Sequence, residues 1–422
     1  MLTIKDKKLD GVSLKDLGEK YGTPLYIYSG SYLKKRLNEW KRDFLDRYDH
    51  VRVSYASKAF ACIGIYQMME EMGFGLDVVS GGEILTASRA GFPMEEVEFN
   101  GNNKTLEELE LAAKVGVGRV IIDSFDELPL LEEVGKKYNV VWKVLIRVNP
   151  DVETDTHAAI STGHLHSKFG IPLKDALLKE ILEYIKNSQT IGFQGLQFHV
   201  GSQLFDQTPY LDALDKVLPF GEVIYKEYGL EVKEINIGGG YGIVYTSETP
   251  ITIRDFFDPI MEKIEEFFKE KERPLISVEP GRHMVGDSAI TLYQVGSVKR
   301  LEDHTFVAVD GGMGDNLRPS LYDAKYSCAL LKEEGELEEV EVVGRFCESG
   351  DVLIEKAMLP NPERGDYLVV FSTGAYHFSM ANNYNRVPVP PVLLVEEGVV
   401  NVLVKGQSLE DVLRRDLSLE KN

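Results

Sequence analysis

Short apolar runs alternate with amphipathic stretches along the first two thirds of the chain. β-Branched and apolar residues cluster at VRVSYAS (51–57), LDVVS (76–80), VEFNG (97–101) and RVIID (119–123). The pattern goes on at WKVLIRV (142–148), IGFQGLQFHV (191–200), KEINIGGG (233–240) and LISVEP (275–280). Each run has the length and composition of a buried strand. Between them, TLEELELAAKVG (105–116), KDALLKEILEYIKN (174–187) and DFFDPIMEKIEEFFKEK (255–271) place apolar residues at helical spacing. Eight strands alternating with helices over roughly 230 residues predict a (β/α)8 barrel. A doubly wound open sheet is the rival, but it more often has about five to seven strands.

The helical period fades after about residue 285. AITLYQVGSVKRL (289–301), TFVAVDGG (305–312), EEVEVVGRFCES (338–349), DYLVVFST (366–373) and PVLLVEEGVVNVLVKG (391–406) read as strands, and only SLEDVLRRD (408–416) reads as a late helix. This predicts an all-β domain. Near the N-terminus a short helix, LKDLGEKYG (14–22), precedes a strand, PLYIYS (24–29). That strand falls outside the barrel count, so it is expected to join the β domain. The predicted division is a segment 1–28 that packs with the β domain, a barrel over 29–283 and the β domain over 284–422.

Composition narrows the function. Lys and Arg number 47 against 68 Asp and Glu in 422 residues, a net charge of −21. A polyanion ligand needs a basic patch, so nucleic acid is excluded as a partner. Three cysteines, Cys62, Cys328 and Cys347, give no disulfide framework. MLTIKDKKLD carries no signal-peptide pattern, and no apolar run reaches the roughly 18 residues that a membrane span needs. A cytoplasmic protein without a membrane partner is expected.

Active sites of such barrels lie at the C-terminal ends of the strands. Those ends carry YASKA (55–59), DVVSGGE (77–83), NGNN (100–103), RVNP (147–150), HVGSQ (199–203), GGGYG (238–242) and EPGR (279–282). Taken singly, each has a plain structural reading. Lys58 is a solvated strand tip, 238–242 a tight turn, His199 a core histidine, and Glu279 the ion-pair partner of Arg282. Together they offer a lysine amine that bonds a carbonyl, backbone N–H groups that cradle a phosphate, a flat ring that stacks, and an acid for a pyridine nitrogen. That set describes a pyridoxal 5'-phosphate site. A carboxylate beside the ring nitrogen keeps it protonated and strengthens the ring as an electron sink. Loss of CO2 needs that strength more than racemisation does.

The motifs YASKA (55–59), LDVVSGGE (76–83), HVGSQ (199–203), NIGGGYG (236–242), EPGR (279–282), DGGMGDNLRPSLYDA (310–324), CESGD (347–351) and GAYHFSMANNYNR (374–386) stand in one order over almost the whole chain. In this the sequence resembles the fold type III pyridoxal-phosphate decarboxylases, the alanine racemase-like barrel group. Within that group it is similar to the members that act on diaminopimelate. YASKA departs from the A-V-K-A-N form found elsewhere in the group, with the lysine in the same place.

The resemblance implies a role for each residue. Lys58 would carry the cofactor, Asp77 would lie against it, His199 would stack on its ring, and Glu279 would meet its nitrogen. Ser202, Gly238, Gly239, Gly240, Gly281 and Arg282 would hold its phosphate, and Tyr376 would close over it. Arg282, Arg318, Tyr322 and Tyr376 would contact substrate, with Arg318 on its distal carboxylate and Glu348 on its distal ammonium. Cys347 would donate a proton to Cα. No metal is implied. A homodimer is implied, with CESGD reaching the neighbouring subunit's site. The implied reaction is decarboxylation of meso-2,6-diaminopimelate to L-lysine. Arg318 and Glu348 supply both signs for a far end that carries both charges. An ornithine or arginine decarboxylase needs no arginine there. A racemase is disfavoured by Glu279, and a catalytically dead relative by the presence of both Lys58 and Cys347. A barrel hydrolase or aldolase using Lys58 is the remaining rival.

Overall fold

The computed structural model describes residues 2, 4–152, 167–332 and 334–419. The chain divides into two compact units. One spans 37–242 and 249–284; the other gathers 1–36, 243–248 and 285–422.

The first unit is the barrel. Its strands are β2 (Val51–Ala56), β3 (Gly75–Val78), β4 (Val97–Phe99), β5 (Arg119–Ile122), β6 (Trp142–Asn149), β7 (Ile191–Gln197), β8 (Glu234–Asn236) and β9 (Leu275–Val278), after an N-terminal β1 (Leu25–Ser29). Neighbours pair in parallel in chain order. The pairs β6–β7 and β9–β2 complete the ring. Among the described residues this is the eight-stranded closed barrel that the alternation predicts. The helices form where the sequence caps them. Thr105 and Glu108 make a reciprocal capping box at Leu106–Val115, and Gly116 ends that helix at φ 82°. The predicted helix 174–187 appears as Ala176–Asn187, and 255–271 as Ile253–Phe267.

Alternation along the strands sends every second side chain into the barrel. At its floor Arg119 Nε donates to Glu234 Oε2 at 2.6 Å, and Ser277 Oγ also donates to Glu234. Above that layer lie Glu98 and Asn236, then Gln197, Asn100, Asp77 and Glu279, all buried. The barrel axis is therefore filled with polar groups that must satisfy one another.

The second unit holds β1, β10 (Ala289–Arg300), β11 (Thr305–Val309), β12 (Cys328–Leu330), β13 (Leu337–Val343), β14 (Val352–Pro360), β15 (Tyr367–Phe371), β16 (Val392–Glu396) and β17 (Val399–Val404). β1 lies between β10 and β16, so the N-terminal strand is an interior member of this sheet. β10 is long enough to pair with β1 and β15 by its first half and with β11 by its second. Leu25, Ile27, Ile290, Leu292, Val369 and Leu393 pack one apolar cluster, and Tyr293, Val307, Val342 and Leu368 belong to another.

Close approach at β7–β8 depends on one glycine. A Cβ on Gly195 would lie 1.7 Å from the Glu234 carbonyl oxygen. Gly195→Ala must therefore push these strands apart. We expect it to destabilise the barrel by about 1–3 kcal/mol or more. Urea unfolding would show this as a lower midpoint with an unchanged slope. An unshifted midpoint would mean that the strands separate freely there.

Candidate active site

Glu279, directly after β9, is the centre of the barrel's polar network. It is buried, and its carboxylate accepts from three neutral amides. Asn236 Nδ2 donates at 2.8 Å, Gln197 Nε2 at 3.1 Å and Asn100 Nδ2 at 3.2 Å. Among the described residues no cation pairs with Glu279. Arg282 donates instead to Ser202 Oγ at 3.0 Å, so the ion-pair reading of the EPGR motif is set aside. A buried carboxylate whose partners are amides is incompletely compensated when it carries charge. A cationic ring nitrogen is the partner it lacks.

Asp77, the next-to-last residue of β3, accepts from Asn100 Nδ2 at 2.7 Å, so one amide bridges the two acids. Burial, then the charge of Glu279, pushes the Asp77 carboxyl well above its ordinary range. Lys58 stands in a short turn after β2 and is exposed. His199 Nδ1 accepts the Gly239 N–H at 3.3 Å. Burial, then the charges of Lys58 and Arg147, hold its imidazole well below its usual range. The ring is thus neutral at neutral pH and suited to stacking rather than proton transfer.

The glycine turn is required by geometry. Gly238 has φ 75°, and a Cβ there would lie 2.4 Å from the Phe198 carbonyl oxygen. A Cβ on Gly239 would lie 2.0 Å from the Glu279 carbonyl oxygen, and one on Gly240 2.3 Å from that of Gly201. Asn236 Oδ1 accepts the Gly238 N–H at 2.9 Å and fixes the start of the turn. Gly281 approaches Ala56 closely, where a Cβ would meet the Ala56 side chain at 3.0 Å. The turn, Ser202 and Arg282 make a cradle for a phosphate, and Glu279 a seat for a ring nitrogen. The residues present fit pyridoxal phosphate.

The remaining predicted residues form a second group in the β unit. Arg318 opens the helix Arg318–Tyr322 and is 6 % exposed. Its guanidinium lies 5.1 Å from the Tyr322 ring centroid and 5.3 Å from that of Tyr376, and its Nε donates to Tyr326 Oη at 3.0 Å. A guanidinium wedged between aromatic rings is desolvated and aimed, as carboxylate recognition needs. Cys347 and Glu348 are exposed at the tip of a tight loop.

That loop is tied by residues the sequence did not single out. Asp351 accepts the N–H groups of Met313 at 2.6 Å and Phe346 at 2.8 Å. Asn385 Oδ1 accepts the Cys347 N–H at 2.9 Å. Ser320 Oγ donates to the Gly350 carbonyl at 2.7 Å, joining the Arg318 helix to the same loop. The last residue of CESGD and the second from the end of GAYHFSMANNYNR were the available signals.

These two groups define a pyridoxal-phosphate enzyme of the decarboxylase kind. Residues 31–286 match the family model described as "Pyridoxal-dependent decarboxylase, pyridoxal binding domain". Over 97 % of this chain and 95 % of its own length, the diaminopimelate decarboxylase of Bacillus subtilis (strain 168) is 42 % identical. That of Staphylococcus aureus (strain COL) is 38 % identical over 97 % of both chains. The crystal structure of diaminopimelate decarboxylase from M. jannaschii in co-complex with L-lysine superposes with a TM-score of 0.92. It is 33 % identical, and the match covers 99 % of this chain and 98 % of that one. The chain belongs to the diaminopimelate decarboxylase family of pyridoxal-dependent decarboxylases. No described helix is long and apolar enough to cross a membrane.

Beside the Arg318 group, Asp315 is buried and accepts the Gly312 N–H at 2.9 Å and the Tyr293 hydroxyl. Burial pushes its carboxyl up to about 7. An unfolded aspartic acid ionises near ~3.9, so between those values the fold binds a proton that the unfolded chain has lost. Its contribution to stability should fall as pH rises from about 4 to about 7 and level off above. Asp315→Asn should remove this slope, so the difference in melting temperature from the parent should grow in the variant's favour across that window. Parallel profiles would contradict the assignment.

Proposed function

We propose that this chain decarboxylates meso-2,6-diaminopimelate to L-lysine and CO2 with pyridoxal 5'-phosphate. The full-length identity to diaminopimelate decarboxylases supports the reaction. The observation that carries the substrate choice is Arg318, buried between Tyr322 and Tyr376. A desolvated guanidinium calls for an anion. The far end of diaminopimelate offers a carboxylate, whereas ornithine offers only an ammonium.

When bound, the cofactor supplies an electron-withdrawing ring that accepts the electron pair left behind as CO2 departs. The chain's residues do the rest. Lys58 would hold the cofactor through its side-chain amine. Glu279 keeps a proton on the ring nitrogen, and Asp77 lies against the cofactor beside it. His199 stacks on the ring as a neutral imidazole. Ser202, Gly238, Gly239, Gly240, Gly281 and Arg282 bind the phosphate through N–H, hydroxyl and guanidinium donors. Tyr376 closes over the cofactor. Arg318, with Arg282 and Tyr322, grips the distal carboxylate, and Glu348 the distal ammonium. That grip selects which stereocentre meets the cofactor. Cys347 donates the proton to Cα.

The working form is proposed to be a homodimer in which Cys347 and Glu348 of one copy serve the other's barrel. Their exposure at the tip of a tied loop supports this. A cytoplasmic setting is proposed on the strength of three free thiols.

The test is CO2 release from meso-diaminopimelate and from ornithine, measured side by side with the parent and with Cys347→Ala. Release from diaminopimelate alone is expected, slowed by roughly 10²–10⁴-fold in the variant while its cofactor absorbance persists. Release from ornithine alone would overturn the reading of Arg318. Loss of cofactor absorbance in Cys347→Ala would make that residue structural.

A further inference from the structure

One buried acid of the barrel has no part in the reaction described. Glu98 sits at the middle of β4 and is 1 % exposed. Its flanking residues, Val97 and Phe99, alternate away from it, so it faces the barrel axis. Among the described residues it receives only a long, divided bond from Asn236 Nδ2, at 3.3 and 3.4 Å. That same Nδ2 donates to Glu279 at 2.8 Å. The two acids thus share one donor, and Glu279 has two further amides from Gln197 and Asn100. Neighbouring cations are engaged elsewhere: Arg52 with Glu96, Arg119 with Glu234.

Two carboxyls sharing a donor in a dry interior do not both ionise, and charge settles on the better solvated one. Three donors against a share of one place the charge on Glu279. The other facing groups act the same way. Burial first, then the charges of Glu279, Asp77 and Glu234, raise the Glu98 carboxyl well above its ordinary range, and Arg52 offsets this only in part. Asn236 is the link, because its Oδ1 holds the Gly238 N–H while its Nδ2 holds both acids. A charged Glu98 would compete for that amide and pull it from Glu279.

We propose that Glu98 is a positioning residue, a neutral acid that backs the Asn236 amide and so leaves the negative charge on Glu279 and the glycine turn in place. This rests on the reading of Glu279 as the partner of the ring nitrogen. The cofactor then gains twice from one side chain it never touches, through the ring seat and through the phosphate cradle.

The experiment compares the holoenzymes of the parent, Glu98→Gln, Glu98→Val and Glu279→Gln. Their cofactor release rates at neutral pH are one readout, and melting temperature from pH 5 to pH 9 is the other. Glu98→Val should speed release about fivefold, the size of one neutral hydrogen bond. Glu98→Gln, a neutral group of the same shape, should restore the rate to within about twofold of the parent. The sign of the pH readout follows from linkage. The folded parent keeps a proton that the unfolded chain loses above ~4.3, so it weakens as pH rises, and Glu98→Gln should gain on it toward pH 9. A Gln variant that releases cofactor as fast as the Val variant, or that falls further below the parent with rising pH, would show a charged Glu98 and overturn the proposal. A Val variant with the parent's release rate would overturn it too. If Glu279→Gln alone keeps the parent's release rate and absorbance, the reading of Glu279 fails, and the role of Glu98 toward it falls on that separate ground.

Discussion

A carboxylate held inside a barrel by amides alone is the constraint from which the rest of this structure follows. Burying a charge costs several kcal/mol unless it is paired or well bonded. Glu279 is bonded by Asn236, Gln197 and Asn100, which come from three other parts of the barrel. Each of those amides is then committed. Asn100 also serves Asp77, and Asn236 also serves Glu98 and the Gly238 N–H. The seat proposed for the ring nitrogen and the cradle proposed for the phosphate are therefore one hydrogen-bonded object. On that proposal, a change at any member is felt at both ends of the cofactor.

The β unit solves a parallel problem with a cation. Arg318 is buried against two aromatic rings and a tyrosine hydroxyl, with no carboxylate paired to it among the described residues. Ser320 of its own helix ties to the loop that carries Cys347 and Glu348, and the Met313 N–H, earlier in the chain, ties to the same loop through Asp351. Asp351 satisfies two backbone donors and sets the path of the chain between them, whereas Asn236 holds one backbone donor, the Gly238 N–H, and turns its amide N–H groups to the acids. The reactive tip stays exposed while its base is rigid. The proton donor proposed for Cys347 would need that combination.

Much of this was legible in the chain. The interval between apolar runs gave eight barrel strands, because buried parallel strands need continuous apolar stretches and the crossovers need amphipathic helices. The place of β1 in the second sheet followed from its falling outside that count. Lys58, His199, the glycines and Glu279 stood out because each is an unusual residue at a strand end. What did not show was who faces whom. Asn100 and Glu279 are 179 residues apart, and no spacing rule joins them. The pairing of Glu279 with Arg282 looked natural in EPGR, but that arginine turns to Ser202. Nor did the motif CESGD show that its loop is tied through Asp351 while Cys347 stays exposed. Glu98 had a signal that was overlooked: an acid between Val97 and Phe99 in a barrel strand must point along the axis.

The central claim is that Glu279 carries a negative charge and keeps the cofactor's ring nitrogen protonated. Nitrogen-15 NMR of the holoenzyme with a ring-labelled cofactor reads that proton directly. The account predicts the chemical shift of a protonated pyridine nitrogen throughout the neutral and mildly alkaline range. The shift of a bare nitrogen at neutral pH would contradict it, and would leave the buried amides of the barrel holding an acid with no electronic task.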